Sequence, residues 1–245
     1  MDNIKKAAEM IVNSTKTFAL TGAGISTESG IPDFRSDTGY YSKMDPMEAL
    51  SRDVLINDPK RFYSEGFVIL RDLYDKKPNK GHLALAKLEE MNLLSGIITQ
   101  NIDNLHVKAG NKTVYEVHGE SRNVHCMDCG TQYDFSVMKQ KVEAGEIPPK
   151  CDRCGGILRP NVVMFGDMMP EDFVIAQSEL RDTELMIIVG SSLTVSPVNF
   201  LPNLVDKMII INQSSTPFDR KADVVFHEGA GEVLGKILDE INRLL

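Results

Sequence analysis

Residues 17–35 read TFALTGAGISTESGIPDFR, and this stretch decides the class of fold. A short apolar run that breaks into a glycine-rich turn is how a dinucleotide-binding strand–loop–helix unit begins. Gly22 and Gly24 have the G-x-G spacing, but Thr27 stands where the third glycine of G-x-G-x-x-G is expected. A redox unit also needs an acidic residue at the end of a second strand about twenty positions later, whereas residues 36–78 have a mainly helical pattern. The loop therefore predicts nucleotide binding and disfavours a dehydrogenase.

Five further apolar runs share the form of the first one. They are SGIITQNID (95–103), TVYEVHG (113–119), ELMIIVGSS (184–192), KMIIINQSS (207–215) and ADVVFHEG (222–229). Short, Ile/Val-rich runs without alternation are typical of strands buried on both faces of a parallel sheet. Helical patterns such as GHLALAKLEEMN (81–92) and GEVLGKILDEINRLL (231–245) lie between or after them. The sequence predicts a doubly wound α/β fold.

The composition fits a globular enzyme and argues against two classes of partner. The chain has 245 residues, 42% of them hydrophobic, and a net charge of −8. This acidity disfavours a specific nucleic-acid partner, and the chain has no apolar run of the roughly 20 residues that a membrane span requires. The N-terminal segment MDNIKKAAEMIVNSTK predicts an amphipathic helix capped by Asp2 or Asn3 instead of a signal peptide. We therefore expect the protein in the cytoplasm.

All four cysteines lie in one segment with metal-ligand spacing. Cys126, Cys129, Cys151 and Cys154 form C-x2-C-x21-C-x2-C, which predicts a structural zinc site closed by four thiolates. Two disulfides or a redox pair are the alternatives, and a reducing compartment disfavours both. His125 adjoins the first cysteine, but four sulfurs already complete a tetrahedron. The mixed charge of the intervening residues disfavours a nucleic-acid-binding zinc module.

Polar side chains follow two of the predicted strands. Gln100, Asn101 and Asp103 come directly after one strand, where they could recognise a ligand at the carboxyl edge of the sheet or cap the next helix. His118 follows another strand, beside Gly119. Of the five histidines it is the best placed for a general base, although histidines at strand ends often serve structure alone.

Taken together, these motifs resemble the sirtuins, which are NAD-dependent protein lysine deacylases. The resemblance rests on GAGISTESGIPDFR, TQNIDNLHVKAG, VHG, the two C-x2-C pairs, RPNVVMFG, GSSLTVSP and IIIN, all in family order and spread over nearly the whole chain. It implies a Rossmann-like NAD-binding domain of residues 1–35, 79–119 and 159–245. It also implies a helical insert or cofactor-binding loop at 36–78 and a small zinc-ribbon domain at 120–158.

The resemblance implies a role for individual residues as well. His118 would be the catalytic base, acting with Asn101 and Asp103. The NAD site would comprise the loop residues Ala23, Gly24, Thr27, Phe34 and Arg35, the pocket residues Gln100, Asn101, Ile102 and Asp103, then Gly190, Ser191 and Ser192 at the phosphates and ribose, and Asn212 and Ala230 at the adenosine end. Val163, Phe165, Gly166 and Val195 would contact the acyl-lysine substrate.

The reaction implied is transfer of an acyl group from N6-acetyl-lysine to ADP-ribose with loss of nicotinamide. The partners would be NAD and acetyl-lysine-containing proteins or peptides, and we expect a monomer. Sirtuins that remove acidic acyl groups carry Tyr-x-x-Arg in the helical insert; here Tyr63 is followed by Gly66, so we expect neutral acyl groups. A mono-ADP-ribosyltransferase on the same fold is the alternative, and a non-catalytic zinc-ribbon binding module is disfavoured by QNID and His118.

Overall fold

A computed structural model describes residues 2–33, 39, 49–73 and 75–245. The described residues contain nine strands: β1 (Thr17–Thr21), β2 (Gly96–Thr99), β3 (Val114–Glu116), β4 (Gly119–Cys126), β5 (Gln132–Asp134), β6 (Leu158–Val162), β7 (Leu185–Val189), β8 (Lys207–Ile211) and β9 (Val224–Phe226). Six of them form one sheet in the order β3-β2-β1-β7-β8-β9, and every pairing in it is parallel. The six apolar runs supply these six strands, so the predicted doubly wound α/β fold is confirmed.

Helices or 3₁₀ turns lie between most successive strands of this sheet, whereas β8 leads to β9 without a helix. The described α-helices are α1 (Asn3–Asn13), α2 (Arg52–Asn57), α3 (Pro59–Arg61), α4 (Phe67–Asp72), α5 (Lys80–Glu90), α6 (Leu105–Ala109), α7 (Phe135–Glu143), α8 (Glu171–Glu179) and α9 (Ala230–Leu244), with 3₁₀ turns at Ala23–Ser29, Leu180–Asp182 and Val198–Leu204. Asp2 caps α1 by accepting a hydrogen bond from the amide of Ile4 at 3.1 Å, as predicted. None of the helices in the described part of the chain is both long and apolar enough to cross a bilayer.

Two hydrophobic cores cover the two faces of the parallel sheet. Successive residues of a strand face opposite sides, so Ala19 and Ile187 pack against α1, α5 and α9. Their neighbours Leu20 and Ile188 pack on the other face against α8 and the 3₁₀ turn Val198–Leu204. Every residue of β1 and β7 is buried, which explains why these strands are continuous apolar runs.

The order of the strands creates a crevice beside β1. The chain proceeds outward from β1 through β2 to β3, and later returns to the other side of β1 with β7, β8 and β9. Loops that leave the carboxyl ends of β1 and β7 therefore diverge, and ligands of open α/β sheets bind at such a switch point. The TGAG loop at residues 21–24 lies at this position, at the carboxyl end of β1.

A second, smaller sheet carries the cysteines. Strands β5, β4 and β6 pair antiparallel in that order, and we refer to this sheet with α7 as the small domain. Its core is continuous with the helical segment 49–73, since Phe62 and Phe67 cluster with Phe135 and Leu158. The two segments that interrupt the α/β pattern thus share one hydrophobic core. The domain boundaries themselves remain a prediction.

Candidate active site

The predicted site residues lie at one edge of the parallel sheet. Each group follows the carboxyl end of a different strand. Ala23, Gly24 and Thr27 follow β1; Gln100, Asn101, Ile102 and Asp103 follow β2; His118 follows β3; Gly190, Ser191 and Ser192 follow β7; Asn212 follows β8; and Ala230 follows β9 at the start of α9. Phe34 and Arg35 lie outside the described residues.

The loops after β1 and β7 contact each other through glycine backbone. The amide of Gly24 donates to the carbonyl of Gly190 at 2.8 Å, and a Cβ on Gly24 would lie 2.7 Å from the Gly190 Cα. Gly190 has a φ of 63°, and a Cβ there would lie 2.2 Å from the amide nitrogen of Ile25. The G-x-G spacing of Gly22 and Gly24 predicts a nucleotide-binding loop. In the structure, the absent Cβ of Gly24 is required by the neighbouring loop.

Asn101 and Asp103 meet the β1 loop at a buried serine. The Ser26 hydroxyl donates to Asp103 Oδ2 at 2.6 Å. The side-chain nitrogen Nδ2 of Asn101 donates to the Ser26 hydroxyl oxygen at 3.2 Å and to the Gly22 carbonyl at 3.1 Å. Burial raises the pKa of the Asp103 carboxyl, against the opposing hydrogen bond from Ser26. Asp103 also accepts from the Leu105 amide at the start of α6 at 2.9 Å. The Asp103 side chain therefore both caps the start of α6 and meets the β1 loop at the crevice.

His118 is oriented by the backbone of the loop that follows β2, residues 100–104, which we call the pocket loop. Its Nδ1 lies 3.0 Å from the carbonyl oxygen of Gln100. Because a carbonyl only accepts, Nδ1 carries the proton and Nε2 is the basic nitrogen of the neutral ring. Burial lowers the pKa of His118 below its usual value of 6.5, and the Gln100 carbonyl partly opposes this shift. The ring is therefore neutral at pH 7, as a general base must be.

His82, His106 and His125 have partners within the fold. His82 and His106 are buried, and burial lowers the pKa of His82 to about 4 and that of His106 to about 3. His82 Nδ1 accepts from the Asn79 amide at the start of α5, and His106 Nε2 lies 2.9 Å from the Thr21 hydroxyl. His125 Nδ1 lies 2.7 Å from Asn161 Oδ1. These contacts give His82 and His106 roles in capping and packing.

The segment after β6 forms a wall next to His118. The amide of Val163 donates to the His118 carbonyl at 2.8 Å. Val162 and Met164 are buried, while Val163 is partly buried and Phe165 is 43% exposed. The alternation leaves Val163 and Phe165 on the open side, where acyl-lysine contacts are expected. The Phe165 backbone pairs with residues 50–52, because the Arg52 amide donates to its carbonyl at 3.0 Å.

The four cysteine sulfurs form one cluster. All four ligand atoms lie within 4.8 Å of one another, and the sulfurs of Cys126 and Cys154 are 3.4 Å apart while those of Cys129 and Cys151 are 3.7 Å apart. A zinc ion with Zn–S bonds of about 2.3 Å places its sulfurs about 3.8 Å apart. The donor set and its spacing therefore fit tetrahedral zinc.

The two C-x2-C turns, which we call the knuckles, have the same backbone geometry. A glycine with positive φ follows the second cysteine of each pair, Gly130 at 70° and Gly155 at 79°. Each glycine amide donates to the carbonyl of the first cysteine, Gly130 to Cys126 at 3.0 Å and Gly155 to Cys151 at 2.9 Å. These turns aim both thiols of a pair toward the same point.

Sequence reasoning missed Ser26 and did not see how the pocket loop is held. Ser26 is 1% exposed and connects the β1 loop to Asp103. Its only sequence signal was its place inside the GAGIS stretch. Gln100 Nε2 also donates to Ser191 Oγ at 2.8 Å, which connects the loops after β2 and β7. Asn212 hydrogen-bonds instead to Ser214 on its own loop.

Comparisons with known proteins agree with this arrangement. The sequence profile of the Sir2 family matches residues 22–197. The NAD-dependent protein deacetylase 2 of Caldanaerobacter subterraneus subsp. tengcongensis is 56% identical over 95% of this chain and 94% of its own length. The NAD-dependent protein deacetylase of Caldivirga maquilingensis is 47% identical over 98% of this chain and 95% of its own length.

Solved structures give the same result. A Sir2 structure with a deacetylated p53 peptide and 3'-O-acetyl ADP ribose matches with a TM-score of 0.93 at 36% identity, over 97% of this chain and 98% of that one. A Sir2–p53 peptide–NAD+ structure matches with a TM-score of 0.90 at 36% identity, over 98% of this chain and 99% of that one. With its fold, strand-end residues and paired knuckles all in place, the chain belongs to the Sir2 family, the sirtuins.

Proposed function

We propose that this protein is an NAD-dependent protein lysine deacetylase. The observation that carries the proposal is the orientation of His118, whose basic Nε2 belongs to a ring held by the loop that also presents Asn101 and Asp103. The names of the relatives, which are NAD-dependent protein deacetylases, support the same activity. The products are free lysine, nicotinamide and O-acetyl-ADP-ribose.

The groups around the crevice fit the chemistry of NAD. Glycine backbone near Gly24 and the hydroxyls of Ser191 and Ser192 suit phosphates, and the amide and carboxylate of Asn101 and Asp103 suit the nicotinamide carboxamide and ribose hydroxyls. Bound NAD supplies an electrophilic ribose carbon and a leaving group, nicotinamide. The expected contributions of Ala23, Thr27, Phe34, Arg35, Ile102, Asn212 and Ala230 to this site come from the family resemblance. All of them except Phe34 and Arg35 lie after strands at the same edge of the sheet.

The roles of the remaining residues follow from what they touch. His118 Nε2 takes the proton from a ribose hydroxyl, and the proton is then held on a ring whose orientation the Gln100 carbonyl fixes. Val163 and Phe165 form an apolar wall that excludes water from the acyl-lysine. Gly166 and Val195 contact the peptide from the two flanking segments. Since these contacts are mostly hydrogen bonds to the peptide backbone, they provide little selectivity for the sequence of the peptide.

The four cysteines bind one zinc ion with a structural role, because four sulfur ligands leave no open position for water. Thiolate ligands require reduced cysteines, which is consistent with a cytoplasmic location. We propose that the enzyme acts there as a monomer on acetylated proteins. Size-exclusion chromatography with light scattering tests the monomer, and a dimer at micromolar concentration would contradict it.

Acyl selectivity is expected to favour neutral groups. Tyr63 is buried and its hydroxyl donates to the Leu158 carbonyl, so it is not available for a ligand carboxylate. At Gly66, where an arginine would be needed, a Cβ would lie 2.5 Å from the Ala49 carbonyl oxygen. A buried succinyl carboxylate without a partner costs several kcal/mol, so we expect kcat/KM for succinyl-lysine to be at least about 100-fold below that for acetyl-lysine.

The matched control substrate for this comparison is butyryl-lysine, which has the same chain length as succinyl-lysine but no carboxylate. It separates charge from size, and its kcat/KM is expected to remain well above the succinyl value. Equal kcat/KM for succinyl- and acetyl-lysine peptides would refute the assignment.

The pH dependence of the reaction is expected to reflect His118. Protonation of Nε2 removes the base, and burial lowers the pKa of His118 below 6.5. The rate therefore falls only as the pH drops through that lowered value, and the acid limb of kcat/KM against pH has its midpoint below 6.5. Initial rates between pH 5 and 8, measured at acetyl-lysine peptide concentrations well below KM, test this. A midpoint above 7 would show that another group titrates.

One incubation distinguishes deacetylation from the alternatives. The protein is mixed with an acetyl-lysine peptide, with and without NAD, and the products are analysed by mass. Deacetylation yields free lysine peptide and O-acetyl-ADP-ribose only when NAD is present, whereas a mono-ADP-ribosyltransferase adds ADP-ribose to protein. The apolar wall of Val163 and Phe165 beside His118 favours the first result. Unchanged peptide and NAD would refute both activities.

A further inference from the structure

Strand β4 contains a large bulge beside the candidate active site. It pairs with β6 at Gly119 with Val162 and again at Val124 with Pro160. Between these pairs, residues 120–123 stand opposite the single residue Asn161. A bulge of this kind diverts a strand from its neighbour and re-aims its side chains. The diverted residues follow His118 directly.

The bulge is a built element with its own hydrogen bonds. The Glu120 carboxylate accepts from the amide of Arg122 and, at 3.0 Å, from the amide of Asn123. Asn161 Nδ2 donates to the same carboxylate at 3.3 Å. These bonds replace the ladder bonds that the bulge removes from β4 and β6, so its shape is specified by the chain.

Two of the bulge residues, Ser121 and Arg122, bind the loop after β2. The Ile102 carbonyl accepts from the Ser121 hydroxyl at 2.6 Å and from the Ser121 amide at 3.2 Å. Arg122 Nη1 donates to Asn104 Oδ1 at 2.6 Å. Ile102 and Asn104 flank Asp103 on both sides, so these bonds hold the chain immediately before and after the buried carboxylate.

The arginine is itself fixed by a second carboxylate. Its Nη1 and Nη2 bind the two oxygens of Glu116, with Nη1 to Oε1 at 2.8 Å, and its Nε lies 3.5 Å from Glu120 Oε2. Glu116 ends β3, and its amide donates to Asp172 Oδ2 on α8 at 2.7 Å. The planar guanidinium fork thus spans the parallel sheet and the pocket loop at once, which a lysine cannot do.

Asn104 has a conformation that needs such support. Its φ is 62°, in the left-handed region that costs a side-chain-bearing residue about 1 kcal/mol or more. Its side chain accepts the bond from Arg122. The bond therefore stabilises a strained residue directly next to Asp103.

We propose that Arg122 is a positioning residue of the enzyme, which holds the 102–104 loop in the shape that binds nicotinamide, with Ser121 as its partner on the same bulge. The proposal rests on the proposed function, because it assigns nicotinamide to the pocket of Asn101 and Asp103. It also connects this pocket to the metal site, since β4 runs on from Arg122 to the zinc ligand Cys126.

The test is the Arg122→Lys variant, which keeps the charge beside Glu116 but loses the fork. The inhibition constant for nicotinamide is expected to rise about tenfold and kcat/KM for NAD to fall by a similar factor, the size of one charge-assisted hydrogen bond. The KM for the acetyl-lysine peptide and the Kd for ADP stay within about twofold, because neither ligand carries nicotinamide or the ribose attached to it. A purely structural role would change all four constants together or only the melting temperature.

Arg243→Lys is the matched control. Arg243 is 74% exposed on α9 and pairs only with the nearby Glu240 among the described residues, so its replacement should leave all four constants unchanged. A second variant, Asn104→Gly, removes the acceptor while glycine tolerates the positive φ. It is expected to give the same pattern, and the double variant should lose no more than either single one.

The outcomes separate this inference from the proposed function. If wild-type protein fails to deacetylate the peptide with NAD, the proposed function is wrong. If wild-type protein is active but both variants keep the wild-type nicotinamide inhibition constant, the positioning role is wrong and the function stands. Additive losses in the double variant would also overturn the role, because they would show that Arg122 and Asn104 act independently.

Discussion

Replacing His118 with alanine is expected to lower kcat for deacetylation by about 10²- to 10⁴-fold, the usual contribution of a positioned general base. The ring Nδ1 donates to the Gln100 carbonyl, which leaves Nε2 as the basic atom facing away from that bond. Alanine removes this base while leaving Asn101, Asp103 and the glycine loops in place. NAD binding measured by calorimetry should therefore change by less than about fivefold, since one hydrogen bond of ordinary strength is lost.

The control for this experiment is His125→Ala, which deletes another imidazole in β4, the strand that directly follows His118. His125 binds Asn161 and lies outside the pocket loop. We expect its turnover to stay near the wild-type value. A His118→Ala enzyme with more than about a tenth of wild-type kcat would remove the base assignment, because that loss is smaller than general-base catalysis provides.

The second large effect is expected at the zinc site. Cys126 is buried in the core that the small domain shares with the helical segment 49–73. Structural zinc contributes an apparent ~10–16 kcal/mol in small zinc domains, comparable to the whole stability of a typical protein. Cys126→Ser should therefore release the metal and lower the melting temperature by at least about 10 °C, which for a chain of this size corresponds to about 3 kcal/mol or more.

Metal content by mass spectrometry and melting by circular dichroism check this prediction together. His125→Ala again supplies the control, because it alters the neighbouring residue and keeps all four sulfurs; it should retain one zinc per chain. The wild-type protein treated with a chelator should behave like Cys126→Ser. A metal-free chain that melts and turns over like the untreated enzyme would contradict the structural role.

The sequence predicted the sheet and the convergence of its strand ends for a clear physical reason. Strands buried on both faces, such as β1 and β7, consist of apolar residues without alternation, and the polar residues that follow them must lie at the carboxyl edge. Gln100, Asn101 and His118 could be placed together from that rule alone. The cysteine spacing predicted a four-sulfur cluster because each short turn presents two thiols on one side, and two such turns can close a tetrahedron around one metal ion. Roles for Asn212 and Ala230 depended on the family resemblance.

Contacts between loops could not be predicted from such patterns of residues. The close approach of Gly24 and Gly190 depends on how two distant segments meet, and a glycine signals only that a Cβ is absent. Ser26 could not be distinguished from the other hydroxyl residues of its loop before its burial against Asp103 was known. The bulge at 120–123 contains no glycine or proline to mark it, and its carboxylate, Glu120, has the appearance of an ordinary charged residue of a strand.

The parallel pairing of β1 with β7 has a consequence for folding on the ribosome. Thr17 pairs with Leu185, and every other pair between these two strands is equally remote in sequence. Such distant partners join slowly, because a long loop must close before any contact rewards it. The crevice at the switch point is therefore expected to assemble after most of the chain has emerged. A nascent polypeptide should stay unable to consume NAD until β7 is synthesised.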